Sequence, residues 1–327
     1  MRPPDARQLA GVVKTRARNA GFDLVGIAEA ERLTTEHDHF IRWLEEGYGA
    51  EMEWLARDPH RRSDPRRLLD GCRSVIVVGV NYFRPDTERS VEGGLEARRG
   101  RIARYARFED YHLTMGKRLR RLVGAIREEA GVPFAAKWYV DTGPVLEKVW
   151  AQRAGLGFIG KNTCLINSRR GSWLLLGVIL TSLDLSPDPP ARSMCGTCRS
   201  CIDACPTGAL SEPGVLDARR CLSYLTIEHR GRVEPDLAAS FDGWLFGCDI
   251  CQEVCPFNGK FQRPAAAGSP LGKPIHPAGL PLREILDLKD GAEFIEYVGT
   301  HSPLRRAGLD GIVRTARILQ ENRSRDR

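Results

Sequence analysis

Seven cysteines fall in two runs whose spacing serves a narrow range of chemistry. Cys195, Cys198, Cys201 and Cys205 read CxxCxxCxxxCP, and Cys248, Cys251 and Cys255 read CxxCxxxCP. A cubane iron–sulfur cluster takes four thiolates, and in two-cluster ferredoxins the cysteine before proline ligates the other cluster. That rule groups Cys195, Cys198, Cys201 and Cys255 into one site. It leaves Cys205, Cys248 and Cys251 one ligand short, and Cys221 is the unassigned cysteine of the region. Cys221 is therefore the expected fourth ligand, and two [4Fe–4S] clusters are expected. Structural zinc is the rival for CxxC knuckles, but three cysteines at successive CxxC spacing followed by CxxxCP favour the cluster. A disulfide framework suits small secreted domains, and no signal-peptide pattern opens this chain. Cys72 and Cys164 read as core thiols.

Clusters carry single electrons, so a substrate or cofactor site is expected in the residues ahead of them. Helical patterns at about 5–20, 35–46 and 110–130 end at Gly21, Gly47 and Gly131, and a further one covers 144–154. The short apolar runs Ser74–Val80, Phe134–Val140 and Ser172–Leu180 read as strands. An α+β fold follows, with a sheet buried by helices. The proline-dense stretch Leu185-Ser-Pro-Asp-Pro-Pro-Ala-Arg192 marks a join. Three domains are expected: 1–188 for catalysis, 189–262 for the clusters and 263–327 as a helical C-terminal region with helices near 282–299 and 303–320.

The chain has 327 residues, 42% hydrophobic and 28% charged, with a net charge of +7. No run of about twenty apolar residues suggests a membrane span, and a cytoplasmic location is expected. The basic balance points to a polyanionic partner. Arg98, Arg99, Arg101, Arg104 and Arg107, interleaved with Tyr105 and Phe108, read either as a phosphate- and base-binding stretch or as an exposed charged loop. The tail from Leu304 to Arg327 is a basic helical end with the same two readings.

Walker A, HExxH and GxSxG motifs are absent. Gly155-Leu-Gly157-Phe-Ile-Gly160 has dinucleotide-loop spacing but follows a helical pattern, so it reads as a cofactor wall with Lys161 reaching a phosphate or amide, or as a plain turn. Asp110-Tyr-His112 precedes Gly116 with one residue too many for the DxHxxG signature of histidine-ligated cobalamin, and His112 reads as a surface or capping residue. Asp141 ends an apolar strand before Gly143-Pro144. It reads as a half-buried acid with a raised pKa, able to deliver a proton, or as an N-cap.

Taken in order, these segments resemble the epoxyqueuosine reductase family. The resemblance rests on Glu51-Met-Glu-Trp-Leu-Ala-Arg57, Arg104-Tyr105-Ala106, Val140-Asp141-Thr-Gly-Pro-Val-Leu-Glu147, Gly160-Lys161-Asn162-Thr163, Cys221-Leu-Ser223-Tyr-Leu-Thr-Ile-Glu228 and Gly247-Cys248-Asp-Ile-Cys251. It implies a nitroreductase-like cobalamin-binding domain, a ferredoxin-like domain with two clusters, and a truncated HEAT-like C-terminal region. It further implies base-off cobalamin without a protein histidine on cobalt, and a tRNA substrate carrying epoxyqueuosine at the wobble position. A low-potential electron donor, a monomeric state and no membrane complete the expectation. Asp141 matches the family's catalytic aspartate, while Arg57, Arg104, Tyr105, Lys161 and Ser223 are expected at the cobalamin or substrate pocket. The alternatives are a reductive dehalogenase-like reductase of a small molecule and an electron carrier without a substrate of its own.

Overall fold

The computed structural model describes residues 5–86, 99–266, 268–269 and 271–325. Nine strands define its frame: β1 (Leu24–Glu29), β2 (Ser74–Asn81), β3 (Arg99–Ile102), β4 (Ala136–Tyr139), β5 (Phe158–Ile159), β6 (Leu165–Ile166), β7 (Leu174–Thr181), β8 (Trp244–Phe246) and β9 (Gly279–Pro281).

β2 is buried along its whole length, as its sequence Ser-Val-Ile-Val-Val-Gly-Val-Asn requires of a strand apolar on both faces. It lies inside a sheet of order β1-β2-β7-β4 whose pairs are all antiparallel. Ile76, Val78 and Ile179 point to one face, under helices Ala6–Asn19 and Tyr111–Ala130. Val75, Val77, Val178 and Leu180 point to the other, against Leu33, Leu68 and Trp150. The three predicted strands and the helices ahead of Gly21, Gly47 and Gly131 are present, and all three glycines have positive φ. The first helix starts on a capping box in which Asp5 accepts from the amides of Arg7 and Gln8.

A second sheet, ordered β8-β3-β9, takes one strand from each of the three sequence regions. Ile102, Trp244, Leu245, Phe246, Leu280, Phe294, Ile312 and Leu319 share its core, so the cysteine region and the C-terminal helices fold onto the chain around 100. The C-terminal region consists of helices Leu282–Leu286, Gly291–Val298 and Gly308–Arg325.

The proline-rich join is strapped down. Asp188 donates its amide to the Ile27 carbonyl (2.8 Å) and accepts from the Ile27 amide at its carboxylate (2.9 Å), with Lys14 bridging to the same side chain. The segment thereby satisfies backbone groups on the outer side of edge strand β1.

Asn258, 1% exposed, fastens the cysteine region to the first sheet. Its side-chain oxygen accepts from the Ser172 amide (2.6 Å), and its side-chain nitrogen donates to Ser172 Oγ (2.8 Å) and the Gln252 carbonyl (2.7 Å). Gly171 opposite has positive φ and leaves no room for a Cβ beside Asn258. Asn258→Ala strands buried partners that each cost about 1–3 kcal/mol. The expected result is a loss of about 3 kcal/mol, read as a melting point lower by roughly 5–10 °C; an unchanged melting point would contradict this fastening role.

Candidate active site and cluster sites

The eight expected ligands assemble into two thiol quartets. Cys201 and Cys255 lie within direct electrostatic reach of Cys195, and Cys255 also of Cys198. Cys248 faces Cys221 and Cys205, and Cys251 faces Cys248 and Cys221. Among the described residues, no three Cys, His, Asp or Glu side chains converge tightly enough for one shared ion.

The backbone explains this arrangement. The short helices Ser200–Asp203 and Ile250–Glu253 each carry the middle cysteine of their run and lie side by side, so each run's last cysteine is presented to the other's loop. Cys221 caps helix Leu222–Ile227, and the amides of Ser223 and Tyr224 point at its sulfur. Lys161 donates to the carbonyls of Gly196 (2.7 Å) and Cys198 (2.8 Å), which ties the first quartet's loop to the turn before β6.

Asp141 lies in the loop after β4, with φ +58°. Left-handed backbone at a non-glycine residue costs on the order of 1 kcal/mol and calls for local support. Glu147 provides it by accepting the Asp141 amide at 2.7 Å. The following helix begins at Glu147 with Leu146 as its cap, so Asp141 is not an N-cap. The sheet is antiparallel, and this bent loop, rather than the end of a parallel strand, presents the carboxylate.

Asp141 forms the end of a row of three side chains. Asp110 Oδ1 meets His112 Nδ1 at 2.6 Å, and His112 Nε2 meets Asp141 Oδ2 at 3.2 Å. Asp110 is the N-cap of helix Tyr111–Ala130, as expected, but His112 is more than a capping neighbour. Burial alone would lower the His112 pKa; its hydrogen bonds to Asp110 and Asp141 outweigh that and raise it to about 9. Burial alone would raise Asp141, but the hydrogen bond and charge of His112, with the Tyr111 hydroxyl, hold it below the usual carboxylate range. The expected raised pKa is thus corrected: the proton rests on His112 and Asp141 is the carboxylate. Glu147 carries the raised value, about 8, through burial and then the charge of Asp141.

The Asp141 side chain keeps 62% of its surface open although desolvation by neighbouring groups weighs on its charge, so the carboxylate stands at an open site rather than in a closed pocket. Tyr105 lies beside it, packed on Tyr111 (6.1 Å) and Phe246 (6.5 Å), and Asp141 helps hold its hydroxyl protonated after burial. Arg306, paired with Glu228 at 2.9 Å and set over the Trp54 ring, lies within electrostatic reach of Asp141 and Tyr105. Lys148 is within electrostatic reach of both Asp141 and Cys164, and Asp249, next to Cys248 in the chain, is within reach of Tyr105, so this site lies near the second quartet.

Of the five expected pocket residues, Tyr105 comes within electrostatic reach of Asp141, through its packing on Tyr111. The Arg104 guanidinium is committed to Asp86 (2.7 Å) and the Arg84 carbonyl (3.0 Å) beside the Phe83 and Trp173 rings. Lys161 is spent on the first quartet's loop, Ser223 turns its amide to Cys221, and Arg57 is exposed after the turn Glu53–Leu55. Gly155, Gly157 and Gly160 lead into the β5–β6 hairpin rather than a helix, which removes the dinucleotide reading. His112, Glu147 and Tyr111 were missed as site residues, because a histidine after an N-cap and a glutamate opening a helix carry no motif of their own.

The first basic stretch is mostly engaged within the fold, whereas Arg305, Arg306 and Arg317 of the tail are exposed. Arg99 donates to the Gly279 carbonyl, Arg101 lies over the Trp244 ring, and Arg107 pairs with Asp86. Arg314 braces the carbonyls of Leu225, His229 and Gly231, and Arg323 that of Arg99. Arg98 and Arg327 lie outside the described residues. Arg232, Lys289 and Arg317 line a groove of about 720 Å³ beside the last helix. Among the described residues, no helix is long and apolar enough to cross a membrane.

Known proteins resemble this chain along nearly its full length. A family model described as "Epoxyqueuosine reductase QueG, DUF1730" matches residues 62–142, and a 4Fe–4S double cluster binding domain matches residues 194–258. An epoxyqueuosine reductase of Gloeobacter violaceus is 45% identical, aligned over 94% of this chain and 94% of its own. One from Xanthomonas campestris is 41% identical over 96% of this chain and 87% of its own. A crystal structure of an epoxyqueuosine reductase with an epoxyqueuosine-modified tRNA-Tyr stem loop superposes with a TM-score of 0.87 at 29% identity, covering 97% of this chain and 82% of the other. A Bacillus subtilis epoxyqueuosine reductase, with its catalytic aspartate loop swung out of the active site, gives 0.84 at 29% identity over 97% and 82%. With relatives of this identity along nearly its full length, the chain belongs to the epoxyqueuosine reductase family.

Proposed function

We propose that the chain reduces epoxyqueuosine to queuosine at the wobble position of tRNA anticodons. The observation that carries the reading is the Asp110–His112–Asp141 row, which holds a proton at an open site near the second thiol quartet. Removing the epoxide oxygen takes two electrons and two protons and yields an alkene and water. The quartets suit the electron supply, and the row suits the first proton.

We read the open site beside Asp141 as the place a cobalamin would occupy, with the His112 ring nitrogens already engaged by the Asp110 and Asp141 carboxylates. When bound, cobalamin would supply a low-potential nucleophilic metal for the carbon–oxygen bond. The chain's own residues do the rest. Asp141 Oδ2 takes the proton from His112 Nε2 and presents it to the leaving oxygen, while Asp110 holds the imidazole ring in register. Glu147 keeps the Asp141 loop in its left-handed turn, and Tyr105 and Tyr111 line the site beside it. We place the eight cysteines as ligands of two [4Fe–4S] clusters and read residues 1–188, 189–262 and 263–327 as nitroreductase-like, ferredoxin-like and HEAT-like regions. An unidentified low-potential donor feeds a monomeric, cytoplasmic enzyme.

Mass analysis of tRNA nucleosides from cells lacking this chain tests the function: epoxyqueuosine should accumulate, and unchanged queuosine would refute the reading. Binding of an anticodon stem loop should weaken with salt. If Arg232, Lys289 and Arg317 each meet a phosphate, the logarithmic slope is about −2. A flat salt dependence would remove this groove from the interface.

A further inference from the structure

Of the chain's six tryptophans only Trp54 is exposed, while Trp150, Trp173 and Trp244 lie in the core. A single apolar ring on a protein surface needs no explanation by itself. The setting of this one does, because two anchored segments bring it against a guanidinium. Trp54 lies in the turn Glu53–Leu55, which Arg62 holds by donating to the carbonyls of Trp54 (2.8 Å) and Leu55 (3.1 Å). Arg306 comes from the turn Pro303–Ala307, where its carbonyl accepts from the Arg230 side chain (2.6 Å). Its guanidinium is paired with Glu228 at 2.9 Å and sits 5.3 Å from the centre of the Trp54 ring. The ion pair fixes the guanidinium, yet 56% of the Arg306 side chain stays open to solvent.

The Arg306 turn is joined to the proton row. Just before it, the His301 carbonyl accepts from the Asp110 amide at 2.7 Å, and Asp110 is the residue that holds His112 against Asp141. The Trp54–Arg306 pair therefore stands at the rim of the Asp141 site, and Arg306 lies within electrostatic reach of that carboxylate.

An RNA loop that offers its wobble base to Asp141 has to break that base's stacking on its neighbours. Each neighbour then shows a bare π-face, which RNA-binding proteins cover with aromatic rings or arginine planes. A guanidinium beside a ring adds cation–π attraction to the same surface. A phosphate suits the pair less well, since Glu228 already offsets the Arg306 charge and the indole carries none. We infer that Trp54, with Arg306 held by Glu228, is the stacking platform for an unstacked base flanking the wobble nucleotide of the tRNA substrate. The inference deepens the tRNA reading of this site and rests on it.

The test uses the full chain, with iron loaded, as wild type, Trp54→Ala and Trp54→Phe. The probes are two synthetic anticodon stem loops carrying epoxyqueuosine, each with 2-aminopurine on one side of the wobble nucleotide. Trp54→Ala should weaken stem-loop binding by about tenfold, within the range for one base–aromatic stack, and leave the single-turnover rate at saturating stem loop unchanged. Its salt slope should match the wild type's, because no phosphate contact is lost. One of the two 2-aminopurines should be quenched when bound to the wild type and bright when bound to Trp54→Ala. Trp54→Phe, which keeps a ring, should restore most of the affinity and the quenching. Wild-type affinity in Trp54→Ala, or fluorescence identical in the two complexes, would overturn the inference. Binding as weak in Trp54→Phe as in Trp54→Ala would overturn it too, by tracing the loss to the turn and not to stacking. A wild type that binds neither stem loop would instead refute the tRNA reading itself.

Discussion

Asp141→Asn should lower single-turnover conversion of epoxyqueuosine-bearing tRNA by about 10²–10⁴-fold, the range for loss of a positioned acid, with iron content unchanged. Asparagine tolerates left-handed backbone nearly as well as aspartate, so the loop at φ +58° keeps its shape and the loss falls on proton transfer. The proton's location sets the pH profile. His112 is raised from its ordinary value to about 9, so the imidazolium persists through neutrality and is lost as pH rises through about 9. Activity, and the part of stability that the His112 pairing contributes, should fall across that same interval. In His112→Gln no imidazolium holds the proton, and the alkaline fall should move to lower pH. Normal turnover in Asp141→Asn, or an unmoved profile in His112→Gln, would refute the paired-acid mechanism.

Cys221→Ala should halve the iron, from about eight atoms per chain to about four, since a cubane cluster takes four thiolate ligands. The first quartet is built from Cys195, Cys198, Cys201 and Cys255 and loses nothing. The change is measured by iron analysis and by the loss of one of two reduction waves, and full iron loading would show that Cys221 is not a ligand. Turnover should collapse as well, because the affected quartet lies near the Asp141 site. Cys164, the other thiol near that quartet, would be the first place to look for a substitute ligand.

The two variants probe features of different legibility. The cysteine grouping could be read from spacing because each ligand loop is short: a CxxC step fixes which way the next thiol points, whatever surrounds it. Strand β2 and the glycine-stopped helices were legible for a similar reason, since burial on both faces and left-handed termination leave local marks. Local rules gave only part of the case at Asp141. They singled out the residue but misjudged its charge, because His112 lies 29 positions earlier and reaches it only once helix Tyr111–Ala130 packs on the sheet.

The arginines mark the same limit. Arg99, Arg101, Arg104 and Arg107 look like a nucleic-acid stretch in one dimension, yet their partners are Gly279, Trp244, Asp86 and Arg84, which the sequence alone does not bring near. By itself the sequence determined the α+β class and, through ordered motifs, the family, and it proposed the two ligand sets. Tertiary structure decided that the proton belongs to a His112–Asp141 pair and that Arg99, Arg104 and Arg107 are engaged within the fold. Each of those depends on desolvation or a contact between distant segments, and neither quantity exists until the chain has folded.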